Sequence, residues 1–228
     1  MKRSVALIAL AFFLAGVLPL SAQAQLGGGI DREEINIKPG VRAGVNFMKI
    51  GGEDAADDNN RRTGFLIGGF VLVDAGLIAV QPELMYIQKG ASQERTLPDG
   101  TTVTRTIKLD YIEVPVLVKL QVPLEEGITP SVFAGPTLGL NATAVQEFEP
   151  EIDRFDFESG DISDRVSGTD FGLALGGGID IDSPVATLMG DIRYGLGLTS
   201  VDDGDASVQN RGFMITAGLA LDLSSAIQ

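Results

Sequence analysis

Residues 104–123 read TRTIKLDYIEVPVLVKLQVP. Taken in steps of two from Ile112, they separate into two rows. Ile112, Val114, Val116, Val118, Leu120 and Val122 are all apolar, whereas the row Glu113, Pro115, Leu117, Lys119 and Gln121 includes two full charges and an amide. A period of two with one apolar face is the pattern of a half-buried β-strand. Residues 76–90, GLIAVQPELMYIQKG, alternate in the same way, with Ile78, Val80, Leu84 and Tyr86 opposite Gln81 and Glu83. A soluble sandwich or barrel would turn such an apolar row inward. A membrane barrel turns it outward to lipid and keeps the charges in its lumen.

Outward from this stretch the alternation continues along most of the chain. It predicts strands at about 38–50, 64–74, 77–89, 106–122, 130–144, 169–182, 185–199 and 211–223. The predicted connections alternate in length. Residues 51–63, 90–105, 145–168 and 200–210 are long and polar, whereas 74–76, 123–129 and 182–184 are short and carry turn residues. In an antiparallel meander this puts every long loop at one end, as in outer-membrane barrels. The expected fold is all-β: a closed eight-stranded antiparallel up-and-down transmembrane β-barrel. Strand-interior glycines such as Gly68, Gly69, Gly135 and Gly139 fit the bends that a small barrel needs. Pro82, Pro115 and Pro136 fall mid-strand in three consecutive strands and predict bulges or local gaps, at which the inside/outside phase can shift by one residue.

The first residues read as a cleaved signal peptide, 1–24. Lys2 and Arg3 precede an apolar run over 5–18, and Ala22-Gln23-Ala24 has the small-x-small form of a cleavage site. A flexible periplasmic lead, 25–37, and a barrel domain, 38–228, would follow. No later stretch has the 18 or more consecutive apolar residues of a membrane-spanning helix.

Composition narrows the chemistry. The chain has no cysteine and no histidine, which removes thiol catalysis, zinc–thiolate sites, Ser-His hydrolysis and imidazole metal sites. Its net charge of -14 argues against nucleic acid, which needs clustered Lys and Arg. No cofactor and no enzymatic activity are expected.

Several segments resemble the PorT-like outer-membrane β-barrel family of Bacteroidetes-type bacteria. They are Gly40-Val41-Arg42-Ala43-Gly44-Val45-Asn46, Gln81-Pro82-Glu83-Leu84-Met85-Tyr86 with Gln88-Lys89-Gly90, Tyr111-Ile112-Glu113-Val114-Pro115, Ala134-Gly135-Pro136 and Asp191-Ile192-Arg193-Tyr194. The resemblance runs over about 40–223. It implies an outer-membrane barrel of a Gram-negative-type bacterium, with a named member tied to protein secretion. The chain departs from the aromatic ending usual for such barrels, finishing Leu221-Asp222-Leu223 and then SSAIQ.

The inward rows supply Arg42, Glu83, Glu113, Lys119, Asp191 and Arg193 as candidate lumen residues. Three cations and three anions facing a narrow interior predict a paired network filling the barrel. The alternatives are an ion path, or Glu83 and Glu113 acting as an acid–base pair. The longest loop carries Glu147, Glu149, Glu151, Asp153, Asp156, Glu158, Asp161 and Asp164, and Asp202, Asp203 and Asp205 form a second cluster. Both suit solvated loops, with weak divalent-cation binding as the alternative. The functional expectation is a structural or interaction role in the cell envelope, including one accessory to protein secretion. A small-solute channel is the alternative, and a soluble lipocalin-like periplasmic binder the third reading. Outer-membrane lipid and other envelope or secretion proteins are the expected partners, with both termini periplasmic.

Overall fold

The computed structural model describes residues 35–52, 59–150, 159–202, 204 and 207–222. The signal-peptide assignment, most of the lead, the acids of 53–58 and 151–158, and the residues from 223 on lie outside them. The strands are β1 Asn36–Gly51, β2 Asn59–Ala75, β3 Ile78–Thr96, β4 Thr102–Gln121 and β5 Ile128–Glu149. After the two-residue β6, Gly160–Asp161, come β7 Thr169–Asp182, β8 Ala186–Gly197 and β9 Gln209–Leu221.

Every neighbouring pair is antiparallel, and β4 pairs with β5 to close the order β4-β3-β2-β1-β9-β8-β7-β5 into a ring of eight. The short β6 pairs with β5 outside the ring, at Val145 and Gln146. Closure leaves no edge strand in the barrel. The registers fix its stagger. Arg42 stands opposite Gly68, and the path continues through Met85, Glu113, Gly139 and Asp170. The same offsets carried across β8 and β9 return to β1 at Gly52, ten residues along. That stagger tilts the strands by roughly 35–45°.

The faces sort as the alternation requires. Val41, Ile67, Val118, Leu120, Val132, Leu175, Ile192 and Ile215 are exposed on the outer wall, while Arg42, Glu83, Glu113, Lys119, Asp180 and Arg193 are buried inside. A soluble barrel cannot carry this inversion, so the lipocalin-like reading falls. On β4 the outer row is apolar from Ile112 to Val122 and polar above it, at Asp110, Lys108 and Thr106. Ten residue steps of about 3.4 Å, tilted by about 45°, span about 24 Å, the height of a transmembrane barrel's apolar band. Phe47, Phe65, Tyr86, Tyr194 and Phe213 lie toward the upper edge of this band, with Phe65–Tyr86 and Tyr194–Phe213 ring centroids 5.6 and 5.0 Å apart. Tyr86 donates its hydroxyl hydrogen to Asp110 Oδ2 at 2.7 Å, joining the apolar band to the polar rim.

Two expectations need correction. Residues 90–105 are not a long loop. β3 continues to Thr96 and β4 starts at Thr102, so only Leu97–Thr101 turns, closed by Leu97 N–H to Thr101 O at 2.8 Å and by Gly100 at φ 85°. The polar composition reflects arms standing in water above the membrane band, where strands need no apolar face. The prolines likewise do not shift the phase. Pairing skips between Pro82↔Val116 and Met85↔Glu113, and between Pro115↔Thr137 and Val118↔Ala134, but the register is the same on both sides. The missing N–H groups open the ladder locally without adding a residue. The true register shifts lie higher, between Arg61 and Leu66 and between Asp110 and Tyr111.

The connections 76–77, 122–127 and 183–185 lie at the end where β1 starts and β9 finishes. There the Gly76 N–H bonds Asp74 Oδ1 at 3.0 Å, and Ser183 N–H bonds Ala186 O at 2.9 Å. Glu126 and Gly127 take positive φ in the turn Glu125–Gly127.

Candidate functional site

The polar residues of the inner face meet in layers. In the central layer Arg42 comes from β1, Glu83 from β3, and Asp191 and Arg193 from β8. Arg193 Nη1 and Nη2 reach Glu83 Oε2 and Oε1 at 2.7 and 3.0 Å, and Nε reaches Asp191 Oδ1 at 2.6 Å. Arg42 Nη1 stands 3.0 Å from both Glu83 Oε1 and Asp191 Oδ2. Gln81 Nε2 donates to Glu83 Oε1 at 2.5 Å. Two cations and two anions make the layer neutral, which offsets the cost of taking charges out of water. The side chains of Arg42 and Glu83 have no solvent exposure.

Aromatic rings complete this layer. The Arg42 guanidinium lies over the Phe70 ring at 4.8 Å and that of Arg193 over Phe133 at 5.3 Å. Arg42 has no well-aligned hydrogen bond; charge and the ring face hold it.

Toward the loop end, Lys89 Nζ bridges Glu113 Oε2 at 2.5 Å and Asp170 Oδ2 at 3.2 Å, and Asn210 Nδ2 donates to the same Asp170 oxygen at 3.0 Å. Lys89 also stands 5.1 Å from the centre of the Tyr111 ring. Toward the turn end, Lys119 Nζ pairs with Asp180 Oδ2 at 2.7 Å. Lys38 reaches Asp182 Oδ1 at 3.2 Å and Thr187 Oγ1 at 3.1 Å. Gln121 Nε2 donates to Asp74 Oδ1 at 2.6 Å and to the Gly76 carbonyl at 2.9 Å.

Of the six residues singled out from the sequence, four therefore meet in one cluster: Arg42, Glu83, Asp191 and Arg193. Glu113 and Lys119 lie in separate layers with other partners. The Glu83–Glu113 pair is divided, each carboxylate being engaged by its own cations. Sequence reasoning misses Lys38, Lys89, Asp170 and Asp180 as lumen charges. The signal for three of them is present, since Asp170 and Asp180 stand on the polar row of their strand, and Lys89 on the row of Gln81 and Glu83. Among the described residues, no three acids converge on a metal-sized site; Glu151, Asp153, Asp156, Glu158, Asp203 and Asp205 lie outside those residues.

A sequence profile described as "Outer membrane protein beta-barrel domain" matches residues 22–203. No curated protein matches the chain. Among solved structures it is similar to a major outer membrane protein from Thermus thermophilus, at 15% identity and TM-score 0.50 over 81% of this chain and 98% of that one. It is also similar to Neisserial surface protein A, at 14% identity and TM-score 0.49 over 81% and 96%. At these identities the likeness concerns the fold alone.

Proposed function

This chain belongs to the outer membrane protein β-barrel domain family, and on that footing we propose that it is a closed, non-conducting barrel with a structural and interaction role in the cell envelope. It is an outer-membrane protein of a Gram-negative bacterium, surrounded by lipid along its apolar band. The observation that carries the proposal is the central layer of Arg42, Glu83, Asp191 and Arg193, which fills the lumen with paired charges and no exposed surface on Arg42 or Glu83. An eight-stranded ring has room for side chains and not for an aqueous pore.

In this reading the turn end and both barrel termini face the periplasm, and the loop end faces outward. The arms of β3 and β4 and the acidic connections would then be presented to partners at the cell surface. The resemblance of the Gln81–Tyr86 and Asp191–Tyr194 segments to PorT-like barrels supports a place beside protein secretion. The acidic loops would bind divalent cations or a basic partner weakly, through contacts screened by salt. The reading includes no enzymatic chemistry, since each lumen carboxylate is committed to a cation or an amide.

Conductance tests the proposal. Purified protein inserted in planar bilayers is expected to show no steady single-channel current. Large, stable openings of the wild type would overturn it and establish the small-solute channel instead.

A further inference from the structure

Around and beyond the Lys89 layer, toward the loop end, the interior changes character. Leu66, Met85, Ile87, Leu109, Tyr111 and Met214 form part of a buried apolar cluster inside the barrel. Over it, at the loop end, opens a cavity of about 300 Å³. Ile50 of β1, Ile107 and Leu109 of β4, and Ile162, Val166 and Val208 of the connections supply its apolar wall. The wall is tied together by backbone contacts: Ile162 N–H to Ala144 O at 3.0 Å, Ser167 N–H to Val201 O at 2.9 Å, and a Val166–Asp202 bridge.

Two arginines, Arg105 and Arg165, line the same cavity. Arg105 Nε donates to Gln146 Oε1 at 2.9 Å. Among the described residues neither arginine has an ion-pair partner, unlike Arg42 and Arg193 in the lumen. The one carboxylate in the lining, Asp202, accepts the Gly204 N–H at 2.8 Å on Oδ1. Burial, and then the neighbouring Arg165 charge, push the Arg105 guanidinium below its ordinary range. In a chain with a net charge of -14, the described lining of this apolar cup thus carries two cations. An anion placed there would relieve the repulsion. Guanidinium groups favour a carboxylate, which can accept two parallel N–H bonds.

We propose that this cavity binds an anionic amphiphile: a medium-length alkyl chain lying on Ile107, Leu109, Ile162, Val166 and Val208, with a carboxylate against Arg105 and Arg165. The volume is at the small end of small-molecule sites, too small for a whole phospholipid. The floor is closed by the apolar cluster and the charged layers beneath, so the site holds a ligand and does not pass it on. The inference goes beyond the reading of a non-conducting barrel and rests on it only for the closed floor; binding in the cup does not require it.

The test uses the full barrel in lipid nanodiscs with labelled isoleucine methyl groups, titrated with sodium decanoate. Saturable shifts are expected at Ile50, Ile107 and Ile162. Ile192 and Ile215, on the lipid face, should follow only bulk partitioning and also report that each variant is folded. Decanol should bind about tenfold more weakly, the loss expected when a charge-assisted bond is removed, and decyltrimethylammonium should give no saturable shift. Arg105→Gln and Arg165→Gln should each weaken decanoate by a similar factor. Shifts that never saturate, equal binding of decanol or the cationic amphiphile, or indifference to both substitutions would overturn the proposal.

Discussion

Arg193 on β8 grips both carboxylate oxygens of Glu83 on β3, at 2.7 and 3.0 Å, across 110 positions of sequence and the width of the lumen. The same guanidinium holds Asp191, two residues before it on its own strand. One side chain thus links a local contact to a cross-barrel one. The planar fork of arginine makes both possible at once.

Removing that fork should be costly. Arg193→Met would leave Glu83 and Asp191 buried with Arg42 as their remaining cation. The expected loss is about 3–5 kcal/mol, the cost of stranding a buried charge. Reversible urea unfolding of the barrel in lipid vesicles would measure it. A loss no larger than that for an exposed acid such as Asp161 would show that the layer contributes nothing to stability.

The outer wall makes a second prediction. Val116 and Val118 sit midway along the apolar run of β4, so Val116→Arg or Val118→Arg should cost about 2–4 kcal/mol in a bilayer. A spin label at Val118 should report hydrocarbon, and one at Thr106, above the band, should report water. A hydrated Val118 would contradict the membrane placement of β4.

A third prediction concerns the backbone beside Pro136. A Cβ on Gly135 would stand 1.9 Å from the Val116 carbonyl oxygen, where the ladder opens between Pro115 and Val118. Only glycine allows β4 and β5 to approach so closely there. Gly135→Ala should therefore cost about 1–3 kcal/mol through forced backbone shifts. Gly69→Ala, whose new Cβ would meet nothing nearer than 3.6 Å, is the control and should be close to neutral. Equal unfolding midpoints for the two variants would remove the argument for close approach.

Orientation can be read with a single protease. Glu-specific cleavage of intact cells should fall in the longest connection, at Glu151 or Glu158, and leave the barrel strands protected. The turn at Glu125–Gly127 offers the same enzyme a site at the opposite end. Cutting there, and not at Glu151 or Glu158, would invert the assignment of outside and inside.

Much of the wall is legible without coordinates. Alternation alone assigns Val116 and Lys119 to opposite faces, and the mid-strand prolines announce disturbed pairing. The local gaps are there, but the phase does not shift beyond them, because a missing N–H removes a bond without inserting a residue. The polar run after Gln88 suggests a loop for a related reason. Once β3 and β4 leave the lipid, their outer face needs no apolar side chains, and a strand in water loses the signature by which it is recognised.

The sequence by itself determined the alternating strands and six of the residues that point inward, because a period of two depends only on the local backbone. Which of those residues meet was decided by the tertiary structure. A circuit that returns ten residues along β1 tilts the strands and sets the height of each inward side chain. That height brings Arg193 to Glu83, Lys89 to Glu113 and Lys119 to Asp180. The cavity with Arg105 and Arg165 depends on it further still. Its walls come from four strands and two connections far apart in the chain, and no short-range pattern records their meeting.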